Sequence, residues 1–244
     1  MPDLKACLKL RAFWELIRGC RCQICGLVQD SVRDHSVLCP GCAGLLRMRS
    51  GGFCPDCARI YALEDTFAYT CLECRIRPFS WDEMGFFGAY QGLLKDLILE
   101  FKFKGDLGLG KVLGDLLAKA CRMHGLTGND ILVPVPAHEK KLRERGFNQS
   151  LELARILGRS LNVPVRKQAL IKQVYTPAQS TLARKERLKA LKGVFLARAD
   201  QVESCSVLLI DDIFTTGSTL EECTRTLLKA GASKVQILFL ARSI

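Results

Sequence analysis

The segment from Val207 to Thr219 constrains the fold more than any other part of this 244-residue chain. It begins with an apolar run that ends at Ile210, continues with Asp211 and Asp212, and passes through a loop of small hydroxyl residues into a helical pattern. A short, branched and uninterrupted apolar run suits a strand buried on both faces of a parallel sheet. Ligands in such sheets bind outside the carboxyl ends of the strands. We therefore predict that both carboxylates emerge at the ligand-binding edge of an α/β sheet.

The helix after this loop is predicted to start with a capping box, because Glu221 follows Ser218 at the required spacing. Apolar residues then recur at helical intervals until Gly231, which favours a helix end. Unpaired N–H groups and the positive end of the helix dipole attract a phosphate dianion at such a start. Gly217 lets the backbone approach the anion without a Cβ in the way. The hydroxyls that add further donors belong to Thr215, Thr216, Ser218 and Thr219.

The acid pair indicates a different part of the same ligand, because carboxylates repel phosphate. Asp211 and Asp212 suit the vicinal hydroxyls of a ribose, with a divalent cation offsetting their mutual repulsion. An ordinary capped turn would explain Ser218 but neither the adjacent acids nor the run of hydroxyls. The segment resembles the phosphoribosyl pyrophosphate (PRPP) motif of type I phosphoribosyltransferases. That resemblance implies a parallel sheet flanked by helices, with PRPP as ligand and Mg²⁺ accompanying it.

The cysteines are concentrated at the front of the chain, where ten of the thirteen precede residue 75. They form two C-x₂-C-x₁₃-C-x₂-C units that repeat with a period of 32 residues. Four thiolates arranged as two knuckles are typical of a tetrahedral zinc site, which stabilises a segment too small to form its own core. Disulfides suit a secreted chain, and no signal peptide is expected here. The predicted ligands are Cys22, Cys25, Cys39 and Cys42 for one zinc ion, and Cys54, Cys57, Cys71 and Cys74 for the other.

The pairing of the four knuckles stays open, because the same spacing permits an interleaved arrangement in which the first knuckle shares its metal with the third. The complete internal repeat favours sequential sites. Cys20 is a possible substitute ligand, although a plain surface thiol is the simpler interpretation. Since cysteine fills all four positions, no coordination site is left for water, and both zinc ions are predicted to be structural.

Residues 3–19 mix apolar and charged side chains with a helical period, which predicts an amphipathic helix. It is too charged to span a bilayer. Packing against a neighbouring domain is the simpler interpretation, and peripheral membrane contact through Phe13 and Trp14 is the alternative. We expect a cytoplasmic protein in three parts: this helix in residues 1–19, a double zinc ribbon in residues 20–78 and a phosphoribosyltransferase-like domain in residues 79–244.

Positive charge is concentrated between His138 and Arg198, where fifteen Lys and Arg face four Glu. The resulting +11 equals the formal charge of the whole chain, so this window needs an anionic partner or a solvated face. It follows the strand-like stretch 130–136, and cations at a strand end suit a pyrophosphate group. The Val-Pro-Val-Pro of that stretch, the later Arg-Gly-Phe-Asn-Gln at 145–149, the run 101–106 and the cysteine knuckles resemble the ComF family of competence-linked phosphoribosyltransferase-like proteins.

The ComF resemblance covers nearly the whole chain and implies further site residues. Asn148 and Gln149 either fix the pyrophosphate loop or cap a helix without touching ligand. His138 is a candidate for a general base. The implied PRPP contacts in this half of the site are Lys102, Lys141, Arg143 and Arg145.

The chain also departs from the family pattern. Residues 176–187 resemble the family's mobile loop, but Val174 and Ala190 stand where Arg and Asn are commoner. Lys141 and Lys172 replace commoner arginines, which keeps charge but loses bidentate geometry. These departures bear on turnover more than on PRPP binding.

Three functions follow from these patterns. The first is transfer of phosphoribose from PRPP to an unidentified acceptor, with Asp211 and Asp212 as catalytic residues and pyrophosphate as product. The second is a PRPP-regulated protein that binds single-stranded DNA or DNA-uptake proteins. The third is a scaffold that keeps only the fold. A C-terminal hood over the acceptor is not expected, so the zinc domain is a hypothetical substitute.

Overall fold

The computed structural model describes residues 21–28, 38–63, 67–105, 108–175 and 190–244. The chain divides into two compact units, Met1–Leu46 and Arg47–Ile244. This boundary falls between the two cysteine units, so the second cysteine unit folds together with the predicted transferase region. The predicted helix in residues 3–19, Cys20 and the predicted mobile loop lie outside the described residues.

Helices and strands alternate along most of the larger unit, as in α/β proteins. A π-helical turn, Glu100–Lys104, extends the third helix. In chain order the other elements are α1 Pro40–Leu45, α2 Leu72–Ile76, β1 Glu83–Ala89, α3 Gly92–Leu99, α4 Gly108–Met123, β2 Ile131–Pro134, α5 Glu139–Arg145, α6 Gln149–Leu161, β3 Leu170–Lys172, β4 Phe195–Ala197, α7 Ala199–Val202, β5 Ser206–Phe214, α8 Ser218–Lys229 and β6 Lys234–Arg242.

A four-stranded parallel sheet in the order β1-β6-β5-β2 forms the centre of the larger unit. Strands β5 and β6 are buried along most of their length, as expected for a sheet that is covered on both faces. Helices α4, α6 and α8 pack against it. The sheet and its flanking helices confirm the predicted fold class.

Strand β5 is longer than the sequence predicts, because it continues past Ile210 to Phe214. Its pairing with β2 ends where Pro134 lies opposite Ile210, whereas its pairing with β6 continues to the end of the strand. The second half of β5, which carries the acid pair, therefore extends beyond β2. This difference in length opens a crevice at the carboxyl edge of the sheet.

The two cysteine units fold alike. Each contains a small hairpin closed by a β-bridge, Arg21 to Val28 in the first and Phe53 to Ile60 in the second. A short helix then follows the third cysteine of each unit. The repeat seen in the sequence is thus a structural repeat. Across the described ranges, every helix is too short or too polar to cross a membrane.

Candidate active site and metal centres

A cavity of about 710 Å³ lies at the carboxyl edge of the sheet, where β5 extends past β2. This is the place at which ligands bind in open α/β sheets. The cavity combines two carboxylates with several cations from different elements. Its charged lining consists of Lys102, Lys141, Arg145, Lys172, Asp211, Asp212 and Arg242.

The acid pair lies in the cavity wall with different partners for its two carboxylates. Oδ2 of Asp212 accepts a hydrogen bond from Nζ of Lys102 at 2.8 Å, and both side chains are largely buried. Oδ1 of Asp211 accepts from Oγ of Ser150 at 3.0 Å. Neighbouring residues of a strand point to opposite faces, which explains why the two acids meet different elements. Lys102, a predicted PRPP contact, lies far from the acid pair in the sequence. The structure brings it into direct contact with Asp212.

The surroundings of Asp211 perturb its carboxyl group. Burial raises its pKa to about 7, and the nearby Asp212 carboxylate adds to this rise. The Asp212 N–H, Lys102 and Ser150 oppose the rise but do not cancel it. A carboxyl group with such a pKa changes its charge near neutral pH, so a cation bound beside it would be linked to loss of its proton.

The loop between β5 and α8 has the geometry of an anion cradle. Gly217 has a left-handed backbone conformation, with φ of 75°, and stands directly before the first residue of α8. A Cβ at this position would lie 2.5 Å from Cζ of Phe214, so glycine is required by packing as well as by conformation. Thr215, Thr216 and Thr219 line the cavity around it. The N–H groups at the start of α8 and these hydroxyls suit a phosphate.

The predicted capping box at the start of α8 is wrong. Gly217 is the N-cap, and the buried Ser218 hydroxyl lies 3.0 Å from that of Thr216. Glu221 is 1% exposed and accepts hydrogen bonds from both N and Oγ of Ser80, at 2.9 and 2.8 Å. The carboxylate is therefore used for a tertiary contact that local spacing cannot show.

Helix α5 brings two of its three predicted basic residues to the cavity. Lys141 and Arg145 are four residues apart and share one face, which lines the cavity. Arg143 lies on another face, is 82% exposed and pairs with Glu139 at 3.4 Å. The structure does not bring Arg143 to the predicted pyrophosphate site, because a two-residue step turns a side chain away from that face.

The lysines of the cavity lining are partly buried close to other cations. Burial, and then repulsion by Arg145 and Lys102, lower the pKa of Lys141. Burial and Lys141 lower the pKa of Lys172 in the same way. Lysines whose charged forms are disfavoured by one another are stabilised when a multivalent anion binds among them.

Two polar residues, Asn148 and Gln149, hold the cavity walls together. Asn148 caps α6, with Oδ1 accepting from Ser150 N at 3.1 Å, and its amide donates to Val135 O at the end of β2. Gln149 Nε2 donates to Lys102 O at 3.5 Å. Asn148 therefore caps α6 and also ties this helix to the residue that follows β2. The run at 101–104 lies in a π-helical turn, which buries Phe101 while Lys102 reaches Asp212.

Sequence reasoning missed two residues of this site. No sequence motif marks Ser150. Its position in the first turn of α6 places its hydroxyl beside Asp211 of β5. Arg242 ends β6 and lines the cavity, and an arginine that closes a long apolar run is the signal that could have found it. Lys172 was noted as a family difference, and the structure places it in the cavity wall.

The eight knuckle cysteines form two sequential clusters rather than interleaved ones. Within each cluster the four sulfur atoms lie within 4.8 Å of one another. Cys25 Sγ is 3.7 Å from Cys39 Sγ, and Cys57 Sγ is 3.8 Å from Cys71 Sγ. Tetrahedral zinc with Zn–S bonds of about 2.3 Å requires sulfur separations of about 3.8 Å. Both clusters therefore fit zinc, and each would hold it with four thiolates.

Comparisons with known proteins agree with this geometry. Residues 148–243 match the family described as the phosphoribosyl transferase domain, so the larger unit contains a domain of that class. Competence protein F of Haemophilus influenzae is 31% identical over 84% of this chain and 96% of its own length. DNA utilization protein YhgH of Escherichia coli is 29% identical, covering 91% of each chain, and competence protein ComFC of Bacillus subtilis is 28% identical, covering 87% of each. The chain belongs to the competence protein F, or ComF, family.

Proposed function

We propose that this protein binds PRPP together with Mg²⁺ and transfers its phosphoribosyl group to an acceptor that is not yet identified, releasing pyrophosphate. One observation carries the proposal. The acid pair of β5, the glycine loop before α8 and the basic face of α5 line a single cavity. Each of these parts matches the chemistry of one portion of PRPP.

The parts of PRPP are assigned by charge and donor type. The 5-phosphate occupies the loop at 215–219, where N–H groups and hydroxyls converge. The ribose hydroxyls lie beside Asp211 and Asp212. The pyrophosphate lies toward Lys141 and Arg145, whose repulsion it relieves.

The reaction exchanges two bonds at C1 of the ribose. A lone pair of the acceptor forms the new bond to C1 as the bond from C1 to oxygen breaks, and pyrophosphate leaves with that electron pair. Bound Mg²⁺ would neutralise charge on the departing pyrophosphate. The protein contributes position and charge stabilisation, through the acids that hold the ribose and the cations that face the leaving group.

His138 is disfavoured as the general base. Its Nδ1 accepts a hydrogen bond from the N–H of Lys140 at 3.1 Å, which caps α5. In the neutral ring that leaves the proton on Nε2, so no ring nitrogen is available to take another. A structural capping role accounts for this histidine.

The acceptor end of the cavity is lined by small and apolar residues together with one lysine. Val135, Pro136 and Ala137 come from the end of β2, and Ala190 and Leu191 precede β4. Lys172 belongs to β3, which pairs with β4 outside the main sheet. This ribbon is a hood candidate inside the larger unit, in addition to the zinc domain suggested by the sequence.

Calorimetric titration with PRPP and Mg²⁺ tests the binding part of the proposal. Wild-type protein should release or absorb heat with one PRPP per chain. The double variant Asp211→Asn, Asp212→Asn should lose affinity by about 100-fold or more, because two ligand-facing charges are removed. Absence of heat with wild type, or equal affinity in the variant, would favour the scaffold hypothesis instead.

Helix α5 offers a matched control within seven residues. Lys141→Gln and Arg145→Gln should each weaken PRPP binding by roughly tenfold or more, since each removes a charge from the cavity wall. Arg143→Gln removes the same kind of charge from a face that does not line the cavity and should leave affinity within about twofold. Equal losses in all three variants would point to a general effect of charge.

Turnover is then sought by screening nucleophiles for PRPP-dependent pyrophosphate release.

A second proposed function is PRPP-regulated binding of single-stranded DNA. It is favoured by the basic window at 138–198 and by the names of relatives, which refer to competence and to DNA utilization. Fluorescence anisotropy with a labelled oligonucleotide should show affinity that falls steeply with salt. Binding that ignores salt, or is unaffected by PRPP, would contradict this function without affecting the first.

A further inference from the structure

One arginine side chain contacts both the second cysteine unit and the loop at 215–219, which is called the phosphate loop below. Nε of Arg242 donates to the carbonyl oxygen of Cys57 at 3.0 Å. Nη1 of the same guanidinium donates to the carbonyl oxygen of Thr215 at 2.7 Å, and its plane lies over the ring of Phe214. One residue thus contacts both the metal knuckle and the first residue of the loop predicted to hold phosphate.

An aromatic layer makes a second connection. Nε1 of Trp81 donates to the carbonyl oxygen of Asp56 at 3.1 Å. The Trp81 ring stacks on Phe79 with centroids 4.0 Å apart, and Phe79 meets Phe214 edge-on at 6.0 Å. Phe79 and Phe214 are also the side chains that a Cβ at Gly217 would strike. The loop glycine therefore lies directly on a layer whose far side is fixed to the knuckle.

Both connections end on the Cys54–Cys57 knuckle. Asp56 and Cys57 supply the two carbonyl oxygens, and Cys54 and Cys57 supply two of the four clustered sulfur atoms. A metal ion held by those sulfurs fixes the path of the backbone between them. The directions of the two carbonyl groups, and so the positions of Arg242 and Trp81, follow from that path.

We infer that the second four-cysteine site and the 215–219 loop are coupled through Arg242 and Trp81, so that metal in the knuckles strengthens PRPP binding. This inference rests on the proposed PRPP function. By thermodynamic reciprocity, PRPP must raise the metal affinity of the second site by the same factor. Arg242 is then a positioning residue for the phosphate loop, whatever contact it also makes with ligand.

Chelator competition on the zinc-loaded full chain measures this coupling. A Cys42→Ser background removes the first four-cysteine site, so that released zinc reports on the second. Saturating PRPP with Mg²⁺ should make zinc about tenfold harder to remove, which is within the usual range for linked sites. Arg242→Gln should reduce that shift to less than about twofold.

Saturation distinguishes positioning from simple ligand contact. If Arg242 only touched PRPP, its loss would weaken PRPP binding but leave the full zinc shift once PRPP is saturating. Trp81→Phe keeps an aromatic ring and loses the hydrogen bond to Asp56, so it should reduce the shift in a protein that folds even if Arg242→Gln does not. Arg59→Gln is the matched control, because Arg59 is on the same unit and pairs with Glu73. It should retain the shift.

Two results would overturn the coupling while leaving the proposed function intact. One is PRPP binding with no change in zinc affinity of the wild-type second site. The other is an unchanged zinc shift in both Arg242→Gln and Trp81→Phe. A zinc-loaded protein that gives no heat with PRPP would instead overturn the proposed function and, with it, this inference.

Discussion

The two cysteine units have the same spacing and the same local fold but different surroundings. In the first, Cys22, Cys39 and Cys42 form a small buried cluster of their own, and Cys25 is exposed. In the second, all four cysteines are buried in one continuous core with side chains of the main sheet, among them Phe86 and Phe239. The repeat thus supplies two metal sites, whereas the neighbouring residues decide what each site supports.

This difference has a physical consequence for each unit. A unit with few apolar neighbours depends on its metal for almost all of its stability. A unit embedded in a larger core passes the effect of its metal on to everything that packs against it. For the second unit, these neighbours include the wall of the cavity.

The largest expected effect comes from removing the metal of one unit at a time. Cys74→Ser should lower the free energy of unfolding of the larger unit by more than about 4 kcal/mol, because loss of metal leaves buried thiols in its core. Cys42→Ser should remove one zinc ion and leave the main unfolding transition within about 0.5 kcal/mol. Urea unfolding followed by tryptophan fluorescence, with metal analysis of each variant, measures both. Equal destabilisation by the two variants would show that the contrast in burial has no energetic meaning.

The next largest effect is the pH dependence of stability. It concerns the larger unit, because Asp211 belongs to that unit. Its folded pKa of about 7 lies above that of an unfolded aspartate. The folded state therefore holds the proton more tightly, and stability must fall as pH rises from about 4 to about 7. The fall should amount to a few kcal/mol in the main unfolding transition and should be largely absent in Asp211→Asn. If the stability of Asp211→Asn depended on pH in the same way as that of the wild type, burial and repulsion by Asp212 would not raise the pKa of Asp211.

The sequence predicted the elements whose signals are local. The strand, acid pair and glycine loop occupy thirteen consecutive residues, and each cysteine cluster needs only a fixed spacing. Both were found because neighbouring residues in the chain remain neighbours in the structure. The cation at Lys102 was reached through family resemblance, since 110 positions separate it from its partner Asp212.

The differences between prediction and structure have two causes, which are contact between distant segments and the geometry of a helix. Glu221 has the spacing of a capping residue, but a stronger tertiary partner, Ser80, lies 141 positions away. Arg143 and Arg145 look equivalent in the sequence, but in helix α5 a two-residue step places them on different faces. The second cysteine unit also contacts Arg242 and Trp81, and neither residue forms a motif with the cysteines.

The Glu221 contact lies in the larger unit, which also contains the second cysteine unit. Its loss is expected to change stability by a smaller amount. Glu221→Gln should destabilise the larger unit by about 2 kcal/mol, since the amide can keep only one of the two Ser80 hydrogen bonds and loses the charge that pairs with Arg225. Glu222→Gln is the control in the adjacent position, where one exposed bond to Gly193 N is affected, and it should cost less than about 0.5 kcal/mol. The difference between their urea midpoints is the measured quantity. If Glu222→Gln cost as much, general loss of helix charge would explain the result.

The smallest effect concerns one backbone position that the two units share. Gly26 and Ala58 are equivalent in the repeat, and both have left-handed conformations, with φ of 73° and 52°. A Cβ at Gly26 would meet nothing within 4 Å, so Gly26→Ala brings the left-handed strain of about 1 kcal/mol and no compensating contact. Zinc at the first site should then be roughly fivefold easier to remove by chelator.

The methyl group of Ala58 is fully buried in the core, and burying one carbon contributes about 0.8 kcal/mol, which nearly offsets the same strain. Ala58→Gly should therefore change stability by less than about 0.5 kcal/mol, and a gain as large as the loss at Gly26 would mean that this methyl group does not pack in the core.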